Sequence, residues 1–157
     1  DRRAVRQAFA DDNAKANEFL FRRVDIEDAA MAHLCAIDRA AKPGFELYVI
    51  SSTTPFLPED LPHLRSNAPG VFRKRLPELA AEYDRRGWTM FPQVERVYVN
   101  ALAREELGWQ PRFDHCHLLQ RLQAGEPVLG AMAQKVGKKG YHAEIFEDGP
   151  YPVEESL

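Results

Sequence analysis

Residues 45–50, which read Phe45-Glu46-Leu47-Tyr48-Val49-Ile50, decide the fold that the sequence predicts. Their apolar density and their two aromatic rings are typical of an interior β-strand. A second, brief strand is predicted over Arg96–Val99, and no hairpin turn joins either segment to a neighbouring strand. Parallel strands connected by helices, an α/β fold, therefore fit best. So few strands cannot make a stable parallel sheet, and we expect the rest of the sheet to lie in a missing remainder.

Most of the remaining sequence has apolar residues at helical spacing. The predicted helices cover residues 3–20 with a break near Asp12, 26–41, 58–66, 76–86, 100–107 and 113–123. Asp25 is the expected N-cap of the helix over 26–41, whose apolar residues occupy more than one side, so this helix is predicted to be buried. Gly87, Gly108 and Gly125 are expected to end three of the others.

The composition limits the classes of function. The 157 residues are 45% hydrophobic, which suits a single piece over 1–157, and the net charge of -3 gives no broad support for binding nucleic acid or an anionic membrane. No apolar run approaches the roughly 20 residues that span a bilayer, so we expect a cytoplasmic protein. Cys35 and Cys116 are expected to be reduced thiols. The chain opens on Asp1 rather than Met, which favours a fragment of a longer protein.

Several sites that carry chemistry in other proteins find no support. Gly137 and Gly140 have a spacing found in dinucleotide-binding loops but follow no predicted strand, and there is no phosphate-loop motif or nucleophile elbow. His115-Cys116-His117 has the residue types of a zinc site. Consecutive helical side chains diverge by about 100°, however, so we expect no metal there. His33 is interpreted as a hydrogen-bonded core histidine.

Three features are candidates for ligand binding. The hydroxyls of Ser51–Thr54 follow the predicted strand 45–50, and ligands of open α/β sheets bind beyond the carboxyl ends of strands. A turn that caps the next helix explains them equally well. Three arginines are suited to an anionic substrate group, namely Arg22, Arg23 and Arg96, and Arg96 lies two positions before Tyr98. The alternative is that they are solvated surface cations.

Three segments, taken together, resemble one known family. Arg23-Val24-Asp25-Ile26-Glu27-Asp28-Ala29-Ala30-Met31-Ala32-His33-Leu34 is similar to a Val- and Asp-rich turn that opens a helix with an Ala-His pair. Tyr48-Val49-Ile50-Ser51 is similar to a last central strand that commonly reads Tyr-Asn-Ile-Gly. Residues 96–111 are similar to a late helix that ends in Glu-Leu-Gly-Trp-x-Pro. In this order, over roughly residues 21–123, the chain resembles the extended short-chain dehydrogenases/reductases, the NAD-dependent epimerase/dehydratase family.

The resemblance implies the C-terminal substrate-binding part of such an enzyme, without its N-terminal Rossmann half. The family's catalytic Tyr-x-x-x-Lys pair is absent, because the residues four after the five tyrosines are Ser52, Gly87, Leu102, Ile145 and Glu155. NAD or NADP would then belong to the intact parent protein, and we expect this chain alone to be inactive and to bind neither. Val99, Ala101 and Leu102 depart from the Asp, Ser and Lys of many members, and Phe21 stands where an arginine is frequent.

The implied function is oxidoreductase or isomerase chemistry on a sugar or nucleotide sugar, by an epimerase, a dehydratase or a reductase. The residues expected to bind the substrate are Arg96, Ser52, Thr53, Arg23 and Tyr98. The expected partners are the small-molecule substrate, the missing Rossmann half and further copies in a homo-oligomer. A catalytically silent binding or regulatory module with the same half-fold is the alternative. Because its apolar faces would lack their usual cover, we predict that the isolated chain self-associates or stays partly unfolded.

Overall fold

The computed structural model describes residues 8–39 and 44–136, and helices are the regular secondary structure of these ranges. The helices are α1 (Asp11–Phe19), α2 (Ile26–Arg39), α3 (Leu61–Arg75), α4 (Pro77–Arg86), α5 (Ala101–Leu107), α6 (His115–Gln123) and α7 (Ala131–Val136), with a 3-10 turn over Pro58–Asp60. None of the described helices combines the length and the apolar composition needed to cross a bilayer.

The prediction of an α/β fold is wrong for the part of the chain that the structure describes, where no β-strand occurs. Residues 45–50 and 96–99 are irregular segments between helices. The prediction of strands here relied on their apolar side chains. A strand also needs a neighbouring backbone with which to form hydrogen bonds. Phe45 and Leu47 are instead 89% and 72% exposed.

The predicted burial of α2 is also wrong. Leu34 and Ile37 are 56% and 68% exposed, and Ile26 and Met31 are exposed as well. The opposite side of α2 contacts α5 and α7. An apolar helix therefore lies with one side packed and one side open to solvent.

Local signals place the helix ends well. α2 begins at Ile26, and the Asp25 carboxylate accepts a hydrogen bond from the Glu27 backbone N–H at 2.9 Å. α4 ends at Arg86, where Gly87 takes the left-handed conformation with φ 67°. The predicted helix over 58–66 instead runs on to Arg75, because the chain kinks at Asn67 and resumes, with the Asn67 side chain accepting from the Gly70 N–H. The first part of the predicted helix 3–20, the end of helix 26–41 and the Gly137–Gly140 turn lie outside the described residues.

The larger core lies among α1, α3, α4 and α6. Its largest fully buried side chains are Leu20, Leu64, Leu79, Tyr83 and Leu122. The Tyr83 ring lies between Phe72 and Trp88, at centroid distances of 4.8 and 5.5 Å. Aromatic pairs of this kind add to the stabilisation that burial of apolar area provides.

A smaller second core connects distant parts of the sequence. Ala32, Ala103 and Trp109 are buried at its centre, and the half-buried residues around them are Val24, Cys35, Tyr48, Ile50 and Leu107. The Trp109 indole N–H donates to the Asp28 carbonyl at 3.0 Å. The Asp28 carboxylate, 1% exposed, accepts from the backbone N–H groups of Arg112 and Phe113. This core fixes α2 against α5 and the segment that follows it.

A buried carboxylate in α4 makes stability depend on pH. Hydrogen bonds from Arg85 lower the pKa of Glu82. Burial acts in the opposite direction, but a further hydrogen bond from Arg86 helps to outweigh it, and the pKa falls from its ordinary 4.5 to about 2. A carboxyl group whose pKa is lower in the folded chain than in the unfolded chain stabilises the fold fully at pH values above its unfolded-state pKa. That contribution is lost as the pH falls through its folded-state pKa. Asp60, whose pKa the hydrogen bonds from Arg75 lower, acts in the same direction.

We therefore expect the free energy of unfolding to fall as the pH is lowered from about 5 to about 2. This range spans the ordinary pKa of Glu82 and its pKa in the folded chain. Urea titrations at a series of pH values measure this slope. Glu82→Gln should make this pH dependence of stability smaller. Glu105→Gln, at an exposed position on α5, should leave it unchanged. A slope equal in Glu82→Gln and the unaltered chain would contradict the assignment.

Candidate substrate-binding site

The backbone brings together three segments that the sequence analysis singled out. The turn after α1, Phe19–Arg23, lies between Ser51–Thr54 and Arg96–Asn100. The Ser52 N–H donates to the Arg23 carbonyl at 2.7 Å, and the Tyr98 N–H donates to the Phe21 carbonyl at 2.8 Å. These two single hydrogen bonds join the segments without forming a strand ladder. Arg23, Ser52 and Tyr98 are thus neighbours through their backbones.

The hydroxyls of the 51–54 segment mostly hold this arrangement in place. The buried Ser52 hydroxyl donates to the Phe19 carbonyl at 2.5 Å, and the Thr54 hydroxyl donates to the Leu20 carbonyl at 2.8 Å. Thr53, half-buried, accepts from the Asn100 side chain at 3.2 Å. Ser51 Oγ is buried and has no hydrogen-bond partner within the described ranges. These contacts give the hydroxyls of Ser52, Thr53 and Thr54 a structural role in this segment.

Asn100 is a residue that sequence reasoning missed. Its side chain is buried and donates from Nδ2 both to the Ser51 carbonyl, at 2.8 Å, and to Thr53 Oγ1. It thereby fixes the 51–54 segment to the start of α5. The available signal was a polar residue between Val99 and an apolar helix, which is ordinarily explained by helix capping.

Arg22 and Arg23 share one acidic partner. Arg23 Nε donates to Glu18 Oε2 at 2.6 Å, and Arg22 donates to Glu18 Oε1. Burial alone would raise the pKa of Glu18, but the hydrogen bond from Arg22 and the charge of Arg23 outweigh burial and hold that pKa below its ordinary value. Two cations on one carboxylate leave an excess positive charge. The arginine side chains are 37% and 32% exposed, so solvent reaches both.

The other two predicted binding residues lie at the surface. Arg96 is exposed, and Tyr98 is 43% exposed. Both belong to the segment that is hydrogen-bonded to Phe21. Of the five predicted residues, Arg96, Tyr98, Arg23 and Thr53 are thus accessible to a ligand, whereas Ser52 is 3% exposed.

A separate group of polar side chains lies at the N-terminus of α6. Asp114 is the N-cap, and its Oδ1 accepts from the backbone N–H groups of Cys116 at 2.9 Å and His117 at 3.2 Å. The potential metal-ligating atoms of Asp114, His115 and Cys116 lie within 4.8 Å of one another. Burial and the nearby charges of Asp114 and Glu78 raise the pKa of the Cys116 thiol.

His117 diverges from this group. Its ring packs edge-on against Phe113, with centroids 4.7 Å apart, and it lines a small cavity together with Asp25 and Val128. Its Nε2 is buried and has no hydrogen-bond partner among the described residues. Of the sequence triplet His115-Cys116-His117, only His115 and Cys116 therefore lie in the cluster of potential metal ligands. Its third member is Asp114 and not His117.

Comparison with known proteins identifies no relative. No family model, curated protein or solved structure matches this chain. Any function assigned to the chain consequently depends on its own residues and contacts.

Proposed function

We propose that this chain is the substrate-binding portion of an NAD(P)-dependent epimerase, dehydratase or reductase that acts on a sugar or nucleotide sugar in the cytoplasm. The cofactor and the catalytic tyrosine and lysine belong to another part of the parent protein. The observation that carries the proposal is that the three segments resembling extended short-chain dehydrogenases/reductases meet in one core.

The second core consists largely of residues from those segments. Its members within the three segments are Val24, Ala32, Tyr48, Ile50, Ala103, Leu107 and Trp109. The hydrogen bond from the Trp109 indole N–H to the Asp28 carbonyl joins the first segment to the end of the third. Segments that belong to one structural unit of such an enzyme are expected to pack together, and their contact supports the proposal in this respect.

The exposed apolar residues of α2 and of the 45–50 segment support the view that this is one part of a larger protein. These are Ile26, Met31, Leu34, Ile37, Phe45, Leu47 and Val49. Apolar side chains exposed in such numbers are typical of contact surfaces between proteins or domains. We assign this surface, called here the open apolar surface, to contact with the cofactor-binding part of the parent protein.

The cations near the Phe19–Arg23 turn support an anionic substrate. Among the described contacts, Glu18 is the one acidic partner of both Arg22 and Arg23. Arg96 is exposed on the adjoining segment. Arginine is well suited to phosphate because its guanidinium donates two parallel hydrogen bonds. In this proposal Arg23 and Arg96 bind the phosphate groups of a nucleotide sugar, and Tyr98, Thr53 and Ser52 line or support the sugar site.

Arg96→Ala is expected to weaken the binding of UDP-glucose, used as a probe, by about ten- to a hundredfold, because a hydrogen bond to a charged group contributes about 1.5–3 kcal/mol. Saturation-transfer NMR with the 157-residue chain measures the dissociation constant. Lys74→Ala removes an exposed cation on α3 and should leave the affinity unchanged. Equal affinities for the unaltered chain and Arg96→Ala, or no saturable binding, would count against this site.

A further inference from the structure

We propose that Asp114, His115 and Cys116 at the start of α6 form a binding site for a divalent transition-metal ion, with Zn²⁺ as the ion that the donor set favours. The proposal concerns a different place from the substrate site and is independent of the proposed function.

The backbone explains why three consecutive residues converge. Asp114 is not helical, with φ -108° and ψ -167°, so its side chain bends over the helix end, while only His115 and Cys116 occupy helical positions. The 4.8 Å limit on the separation of their ligand atoms is close to the roughly 3.5 Å that tetrahedral zinc with ligands at 2.0–2.3 Å requires. Asp114 and His115 are partly exposed and Cys116 is exposed, so their side chains have room to rotate toward a shared ion.

A second observation points to a ligand. Capping explains the position of Asp114, because Oδ1 accepts from two backbone N–H groups. It does not explain His115, whose Nδ1 is buried with no hydrogen-bond partner within the described part of the chain. A buried polar atom of this kind requires a partner such as water or an ion. A metal ion bound at His115 Nδ1 would supply that partner.

The donor set selects the type of metal. Imidazole nitrogen and thiolate sulfur favour Zn²⁺ and similar transition metals, whereas Mg²⁺ and Ca²⁺ take oxygen ligands. On binding, a metal–sulfur bond forms, the Cys116 S–H bond breaks and the proton passes to solvent. Because Cys116 is exposed, the ion can enter from solvent and water can complete its coordination.

Titration of the metal-free, reduced 157-residue chain with Co²⁺ tests the site. We expect a saturable thiolate-to-cobalt charge-transfer absorption with one ion per chain, which Zn²⁺ then displaces. Cys116→Ser should abolish the absorption, and His115→Ala should weaken binding at least about tenfold, as even the loss of an outer-shell partner does in metal sites.

Two further variants show which side chains hold the ion. Cys35→Ser removes the other cysteine, on α2, and should leave the absorption intact. Asp114→Asn keeps a good N-cap but loses the anionic ligand, so it should weaken Co²⁺ binding without a large loss of stability. The absence of a saturable absorption in the unaltered chain would overturn the proposal. So would an absorption that survives Cys116→Ser, or equal affinities for His115→Ala and the unaltered chain.

Discussion

Trp109→Ala is expected to lower the free energy of unfolding by about 3–5 kcal/mol, the range for removal of a buried large aromatic side chain. Trp109 is 1% exposed and lies at the centre of the second core beside Ala32 and Ala103. The substitution also leaves the Asp28 carbonyl without the indole N–H from which it accepts at 3.0 Å. Urea denaturation of the 157-residue chain measures the loss.

Two control variants separate packing from the hydrogen bond. Trp109→Phe keeps most of the apolar area but not the N–H, so it should cost clearly less than Trp109→Ala. Leu102→Ala, at a position 49% exposed on α5, should change stability by no more than about 0.5 kcal/mol. If Trp109→Ala were as mild as Leu102→Ala, the second core would not stabilise the chain as described.

Asp28→Ala is expected to cost about 3 kcal/mol, because it leaves two backbone N–H groups without their charged acceptor. The carboxylate accepts from Arg112 N at 2.9 and 3.1 Å and from Phe113 N at 2.9 Å. These bonds hold the segment between α5 and α6 against α2. Thermal and urea unfolding should both report the loss.

The neighbouring carboxylate provides a matched control. Glu27 pairs with the exposed Arg112 side chain at 3.1 Å, and exposed ion pairs contribute little, so Glu27→Ala should change stability by less than about 1 kcal/mol. Asp28→Asn, which retains one acceptor oxygen, should fall between the two alanine variants. Similar losses for Asp28→Ala and Glu27→Ala would contradict the role given to the buried carboxylate.

The helices were predictable because their signals are local. Asp25 before α2 and Gly87 after α4 act within one turn of the helix end, so the sequence alone located these boundaries. The helix predicted over 58–66 was too short, since α3 runs to Arg75 although it contains Pro69. Here the Asn67 side chain accepts from the Gly70 N–H and starts a new helical segment after the kink.

The strands were not predictable because pairing is non-local. Residues 45–50 have the composition of a strand, but composition does not show whether a neighbouring backbone is present. In the described part of the chain Phe45 and Leu47 are exposed and no ladder forms. The same holds for α2, whose apolar side is open at Leu34 and Ile37.

The candidate site was predictable in part. Arg23, Ser52 and Tyr98 do converge, through hydrogen bonds to the Phe19–Arg23 turn. Sequence spacing could not indicate that the Ser52 hydroxyl is buried against Phe19, or that Asn100 fixes the 51–54 segment. These contacts join residues more than 30 positions apart, and nothing in local sequence encodes them.

The central claim is tested most directly with the complete product of the gene that encodes this chain. It is incubated with a panel of nucleotide sugars and either NAD or NADP, and chromatography with mass spectrometry detects the products. We predict dinucleotide-dependent conversion of at least one nucleotide sugar, with KM raised in Arg96→Ala more than kcat is lowered, because Arg96 binds substrate and transition state alike. No conversion by a folded, full-length product that still binds the same nucleotide sugars would contradict the claim and indicate a binding module.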